Sequence, residues 1–152
     1  MIFDRKKSDV DNSKTLILNK VQKNISLSDE EINTLEKGTL TINTLNRIEN
    51  KQNELFSLLS DIGYYAPQIV TKTWTYDDLF TSDEFERVVK NTETLRNASL
   101  IYKNTPITPI ADYYFENLNS IEKILYDIEN MTNEIKSLFL ECGTFECGEV
   151  IQ

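Results

Sequence analysis

The feature that most constrains this chain is a stripe of apolar side chains near its C-terminal end. Leu118, Ile121, Leu125, Ile128, Thr132, Ile135 and Phe139 recur at alternating steps of three and four residues. Only an α-helix gathers that spacing onto one face, so a long helix is predicted from about Asp112 to Glu141. Ile124 and Leu138 widen the stripe, which favours a bundle over a simple two-stranded coil. Two uses are open: the stripe packs on the chain's own helices, or it pairs with another subunit.

The same reasoning predicts four further helices. Residues 8–23 carry Val10, Leu16, Ile17, Leu18 and Val21 on a rough apolar face. Ser28-Asp29-Glu30-Glu31 has the Ser-x-x-Glu form of a capping box and opens a short helix that carries Ile32 and Leu35 inward and that Gly38 stops. From about Ile42 to Ile62, Leu45, Ile48, Gln52, Leu55, Leu59 and Ile62 repeat the three-four spacing, and Gly63 ends the run. Gln52 is polar at a seam position, where such a residue can set register in an oligomer. Thr81-Ser82-Asp83-Glu84 opens a helix to about Leu100, with Phe85, Val88, Val89, Thr92 and Leu95. Pro106 and Pro109 keep Asn104 to Ile110 out of any helix. Two of these helices share a phrase, Leu45-Asn46-Arg47-Ile48-Glu49 and Leu118-Asn119-Ser120-Ile121-Glu122, which reads as convergent helix chemistry or a weak internal echo.

Between the helices the pattern changes. Tyr64-Tyr65-Ala66-Pro67 breaks the helical spacing, and Gln68 to Tyr76 is rich in β-branched and aromatic residues, so a short strand or extended segment is expected. Cys142 to Gln152 has a turn-and-strand character. The expected fold is mainly α, with a coiled-coil-like C-terminal helix and short extended or β elements in the middle and at the C-terminus. Three regions follow: a helical part over 1–63, an aromatic-rich connector over 64–80, and a helical part over 81–152.

Much chemistry is excluded by what is missing. The 152 residues contain no histidine, so neither a Ser-His-Asp nor a Cys-His constellation can be built, and the commonest zinc ligand is absent. The glycines Gly38, Gly63, Gly143 and Gly148 do not form a phosphate-binding loop. Cys142 and Cys147 lack the further ligands of a metal set; a disulfide between them across a tight turn is geometrically possible, but a cytoplasmic product normally keeps both thiols reduced. Acidic pairs such as Glu30-Glu31 and Asp83-Glu84 sit in helix first turns, where the dipole favours them without any catalytic role. A net charge of −9 repels a phosphate backbone, and no apolar run is long enough to cross a membrane. The N-terminus has no apolar segment of the secretory kind, so a soluble cytoplasmic product is expected. Catalysis, cofactors and metals are not expected; docking is.

The candidate docking residues are the aromatic cluster Tyr64, Tyr65, Trp74, Tyr76 and Phe80, and the seam positions Leu118, Ile121, Leu125, Ile128 and Ile135. The cluster could equally form the core between the two helical parts. Tyr113, Tyr114 and Phe115 form a second aromatic group after the prolines.

Asp4-Arg5, Ser8-Asp9-Val10, Leu27-Ser28-Asp29-Glu30-Glu31, Lys37-Gly38-Thr39-Leu40 and Asn43-Thr44-Leu45-Asn46-Arg47-Ile48-Glu49 follow one another along the first third of the chain. They carry a resemblance to a segment of tail and baseplate proteins of phages and prophages of low-GC Gram-positive bacteria. Downstream it continues through Lys72-Thr73-Trp74, Phe85-Glu86-Arg87, Asn91, Leu95-Arg96, Pro106, Pro109, Asn119 to Leu125 with Asp127-Ile128, and more loosely Cys142 to Glu149. The resemblance implies a non-enzymatic virion component of the tail tip, baseplate or tail-fibre attachment region, assembled in the host cytoplasm. A contractile tail-like bacteriocin would use the same parts. Its partners would be other tail, baseplate or fibre proteins and further copies of itself. The chain lacks a repetitive fibre shaft and a receptor-binding head, which argues for a connector or accessory role. The competing reading is a soluble helical adaptor that binds one protein partner transiently.

Overall fold

A computed structural model describes residues 1–110 and 114–142, with side chains as far as Leu138. The described residues form α1 (Lys7–Asn19), a single 3-10 turn (Val21–Lys23), α2 (Asp29–Gly38), α3 (Ile42–Asp61), α4 (Ser82–Ala98) and α5 (Phe115–Cys142). The helix starts follow from local chemistry. Ser28 accepts the Glu31 N–H while the Glu31 carboxylate takes the Ser28 N–H, satisfying two donors that have no partner within the helix. Thr41 and Thr81 cap α3 and α4 by accepting the N–H groups of Thr44 and Glu84. Gly63, at φ +82°, ends α3, with its N–H bonded to the Ser60 carbonyl and that of Tyr64 to Leu59.

Helix α2 stops at Gly38 as read in the sequence, although Thr39 is its cap, and Gly38 also serves a packing purpose. It is the last residue of α2, and a Cβ there would collide with the Ser13 hydroxyl and the Asp9 carbonyl. Its bareness lets α1 lie against α2, where Ser13 donates to the Thr34 carbonyl at 2.8 Å. These two helices form a hairpin that packs on itself more than on the rest of the chain.

The three long helices run parallel. Glu49 pairs with Arg87 and Gln52 with Thr92 between α3 and α4; Arg47 pairs with Glu122 and Lys51 with Glu129 between α3 and α5. The chain rises in each pair of helices together. Their shared core holds Ile48, Leu55 and Leu59 of α3, Phe85, Val88 and Leu95 of α4, and Leu118, Ile121, Ile124, Leu125 and Ile128 of α5. Full burial of each such side chain is worth roughly 1.5–3 kcal/mol against leaving it in water.

The regular stripe of α5 is therefore internal. Leu118, Ile121, Leu125 and Ile128 lie in the chain's own core, so as a seam for another subunit they are inaccessible; Ile135 is half-buried. Gln52 likewise sets register within the chain rather than between chains. Its amide donates to the Val88 carbonyl at 2.8 Å and the Thr92 hydroxyl at 2.9 Å, and accepts from Asn91 at 3.3 Å.

Parallel helices need return segments, and each return lies in a groove of the bundle. Residues 1–6 descend along α5, with Ile2 at Glu122 and Arg5 at Asn119. Residues 64–76 descend between α3 and α4, and residues 101–110 between α4 and α5, where Arg96 reaches the Pro106 carbonyl and Thr105 bonds Asp127. The strand anticipated over Gln68–Tyr76 is extended but joins no ladder, and no β-strand occurs among the described residues. Its backbone groups are satisfied by helix side chains instead. The turn-and-strand element anticipated from Cys142 to Gln152 lies outside the described residues beyond the end of α5, as does Cys147.

Candidate protein-docking surface

Two buried glutamates fasten the return segments. Glu49 of α3 receives the fork of Arg87 at 2.6 and 2.8 Å, the Trp74 indole N–H at 2.8 Å and the Lys72 backbone N–H at 2.9 Å. Glu122 of α5 receives Arg5 at 2.8 Å, Arg47 at 2.9 Å and the backbone N–H of Ile2. One helical turn before each glutamate stands an asparagine that grips a backbone residue from both sides. Asn46 accepts the Trp74 N–H and donates to its carbonyl; Asn119 does the same to Arg5. The shared phrase Leu-Asn-x-Ile-Glu is thus one device used twice: the apolar pair faces the core while Asn and Glu clamp an extended segment. Asn91 of α4 adds a third grip, bonding both the N–H and the carbonyl of Val70. Nothing in the local sequence names the clamped partners, which lie 21 to 120 residues away.

This lacing decides where the candidate aromatics go. Trp74 is 3% exposed, with Phe80 edge-on to its ring at 5.2 Å and the Lys72 ammonium 3.9 Å from the ring centroid. Tyr64 and Phe80 are half-buried against the core. Tyr65 and Tyr76, by contrast, are 86% and 95% exposed. They lie beside opposite ends of α3, Tyr65 just past Gly63 and Tyr76 just past the residue held by Asn46. The five aromatics do not form one surface. Of the second group, Tyr114 is exposed, Phe115 is half-buried, and Tyr113 lies outside the described residues.

The segment around Trp74 is also held electrostatically. Hydrogen bonding to Lys72, with help from the Thr75 N–H and hydroxyl, holds the Asp78 carboxyl down at about 2. The Arg87 guanidinium lowers Glu84, and hydrogen bonding to Asp78 raises Lys72. Each of these groups is pinned in its charged form by a structural partner. That arrangement locks a backbone and offers no poised proton donor or acceptor.

The surface with docking character lies beside Tyr76. Leu27, Ile32, Leu35, Leu40 and Ile42 line an open cleft of about 420 Å³ between α2 and the start of α3, and Tyr76 stands on its lip. Glu36 is its one charged lining residue. Ile32 and Leu35, expected from the sequence to face inward, instead line this open cleft, Ile32 exposed and Leu35 half-buried, because α2 packs on α1 and leaves this side uncovered. Among the described residues there is no group of three or more His, Cys, Asp or Glu placed to hold a metal, and no helix long and apolar enough to cross a membrane. No family model, curated protein or solved structure matches this chain.

Proposed function

We propose that this chain is a structural component of a phage tail or contractile tail-like particle, seated in the baseplate or tail-fibre attachment region and acting by docking onto other protein subunits. The observation that carries the docking role is the apolar cleft between α2 and α3, with the nearly fully exposed ring of Tyr76 at its edge. Tyrosines on apolar surfaces are typical of residues that anchor protein interfaces. The tail assignment itself rests on the resemblance of the sequence to tail and baseplate proteins. A rigid module suits that role, because three helices laced by extended segments lose little freedom on docking.

The test is mass spectrometry of purified particles from the source strain, with copy number measured against a tail-tube protein. A fixed stoichiometry at a small multiple of three or six is the expected result. Absence from intact particles, with free monomer in the lysate, would favour the adaptor reading instead.

A further inference from the structure

Charge is unevenly spread along this chain. Residues 1–24 hold six Lys or Arg against three Asp, whereas the rest hold ten against twenty-two Asp or Glu. Residues 14–25 carry Lys14, Lys20 and Lys23 and no carboxylate; Lys20 pairs with Glu31, while Lys14 and Lys23 are exposed alongside the apolar Leu18, Val21 and Ile25. The α2–α3 cleft has the opposite character. Its walls are apolar, Glu36 lines it, and Asp29, Glu30 and Asp77 are exposed next to its lining residues in the sequence. The tip presents apolar side chains beside ammonium groups; the cleft is an apolar slot lined by the Glu36 carboxylate.

We infer that the α2–α3 cleft of one copy receives the α1 tip of a second copy, with Leu18, Val21 and Ile25 entering the slot and Lys14 and Lys23 meeting its acidic rim. This inference rests on the reading of the chain as a repeated component of an assembly. Charge complementarity selects this occupant, since a run of lysines without a carboxylate, beside exposed Leu18, Val21 and Ile25, is opposite in sign to Glu36 of the cleft. The two contacting surfaces differ, so the contact is heterologous. Repeated, it closes into a ring or continues as a filament.

Sedimentation velocity on the full chain tests this, using substitutions at exposed positions so that the helices survive. The wild type is expected to associate at low ionic strength and to shift towards monomer as salt screens the charges. A tip variant, Val21→Asp with Ile25→Asp, and a cleft variant, Ile32→Asp with Tyr76→Ala, should each sediment as monomers. Mixed, they should form one-to-one dimers that grow no further, because the intact cleft of the first accepts the intact tip of the second. A second tip variant, Lys14→Glu with Lys23→Glu, should behave like the first while leaving every apolar side chain in place. A wild type that is monomeric at low salt, association that survives in any of the variants, or a mixture that stays monomeric would overturn the inference. A monomer found in particles overturns this contact alone; an oligomer absent from particles overturns the tail reading alone.

Discussion

The side-chain amide of Asn46 grips the backbone of Trp74 from both sides, accepting its N–H at 2.7 Å and donating to its carbonyl at 3.0 Å. A helix side chain thereby supplies both bonds that a neighbouring strand would otherwise provide. Replacing Asn46 with Ala should strand these groups and cost about 1–3 kcal/mol. Chemical unfolding should show that loss, and fluorescence of the single tryptophan should shift to the red as the indole gains water. Asn119→Ala should cost a similar amount, yet leave the fluorescence unchanged, because Asn119 holds the separate segment at Arg5.

Glu122 and Arg5 form an almost fully buried ion pair at 2.8 Å, with Arg47 on the same carboxylate oxygen. Glu122→Ala leaves two guanidinium groups without their anion and should destabilise the chain by about 3–5 kcal/mol. Lys20→Ala removes the partly exposed pair with Glu31 and should cost less than about 1 kcal/mol. Urea midpoints for the two variants separate these effects.

The α5 stripe offers a contrast between folding and assembly. Leu125 has no exposed surface, so Leu125→Ala should cost about 2–5 kcal/mol. Replacing Leu125 and Ile128 with Asp should unfold the bundle instead of merely blocking association. Circular dichroism would show helix lost at every protein concentration.

Acid should loosen the segment around Trp74 before global unfolding. The Asp78 carboxyl, lowered from 3.8 to about 2 mainly by hydrogen bonding to Lys72, stabilises the fold fully above its ordinary value and ceases to do so as pH falls through about 2. Glu84, lowered chiefly by Arg87, acts in the same direction. Tryptophan fluorescence followed between about pH 4 and pH 2 should therefore change before the far-ultraviolet helix signal, and Asp78→Asn should change at neutral pH without acid.

Much of the helical layout could be read from the sequence because caps and spacing are local. Ser28 with Glu31, Thr81 with Glu84, and Gly63 after α3 each act within one helical turn. What the α5 stripe packs against could not be read that way, since a three-four spacing describes a face and not its partner. The extended segment at residues 68–76 shows the same limit. Its β-branched and aromatic residues fitted an extended backbone, but composition could not show that Asn46, Glu49 and Asn91 would take the place of a strand. The repeated Asn-x-x-Glu spacing carried that information, though its meaning emerged only once both copies were seen clamping backbone. Among the candidate docking aromatics, Trp74 and Tyr76 are two residues apart in sequence and sit at 3% and 95% exposure. A regular extended run would put both on one face, but Tyr76 lies in the turn closed by the Asp78 N–H on the Thr75 carbonyl, which breaks that register, and the identity of the buried face depends on helices elsewhere in the chain.

The most direct test of the account is incorporation into particles under competition. Wild-type chain and the Ile32→Asp, Tyr76→Ala variant would be produced together in the source strain, and their ratio in purified particles compared with their ratio in the lysate. The account predicts that both are soluble and folded, while particles hold the wild type and are depleted of the variant. Equal incorporation, or particles containing neither chain, would contradict it.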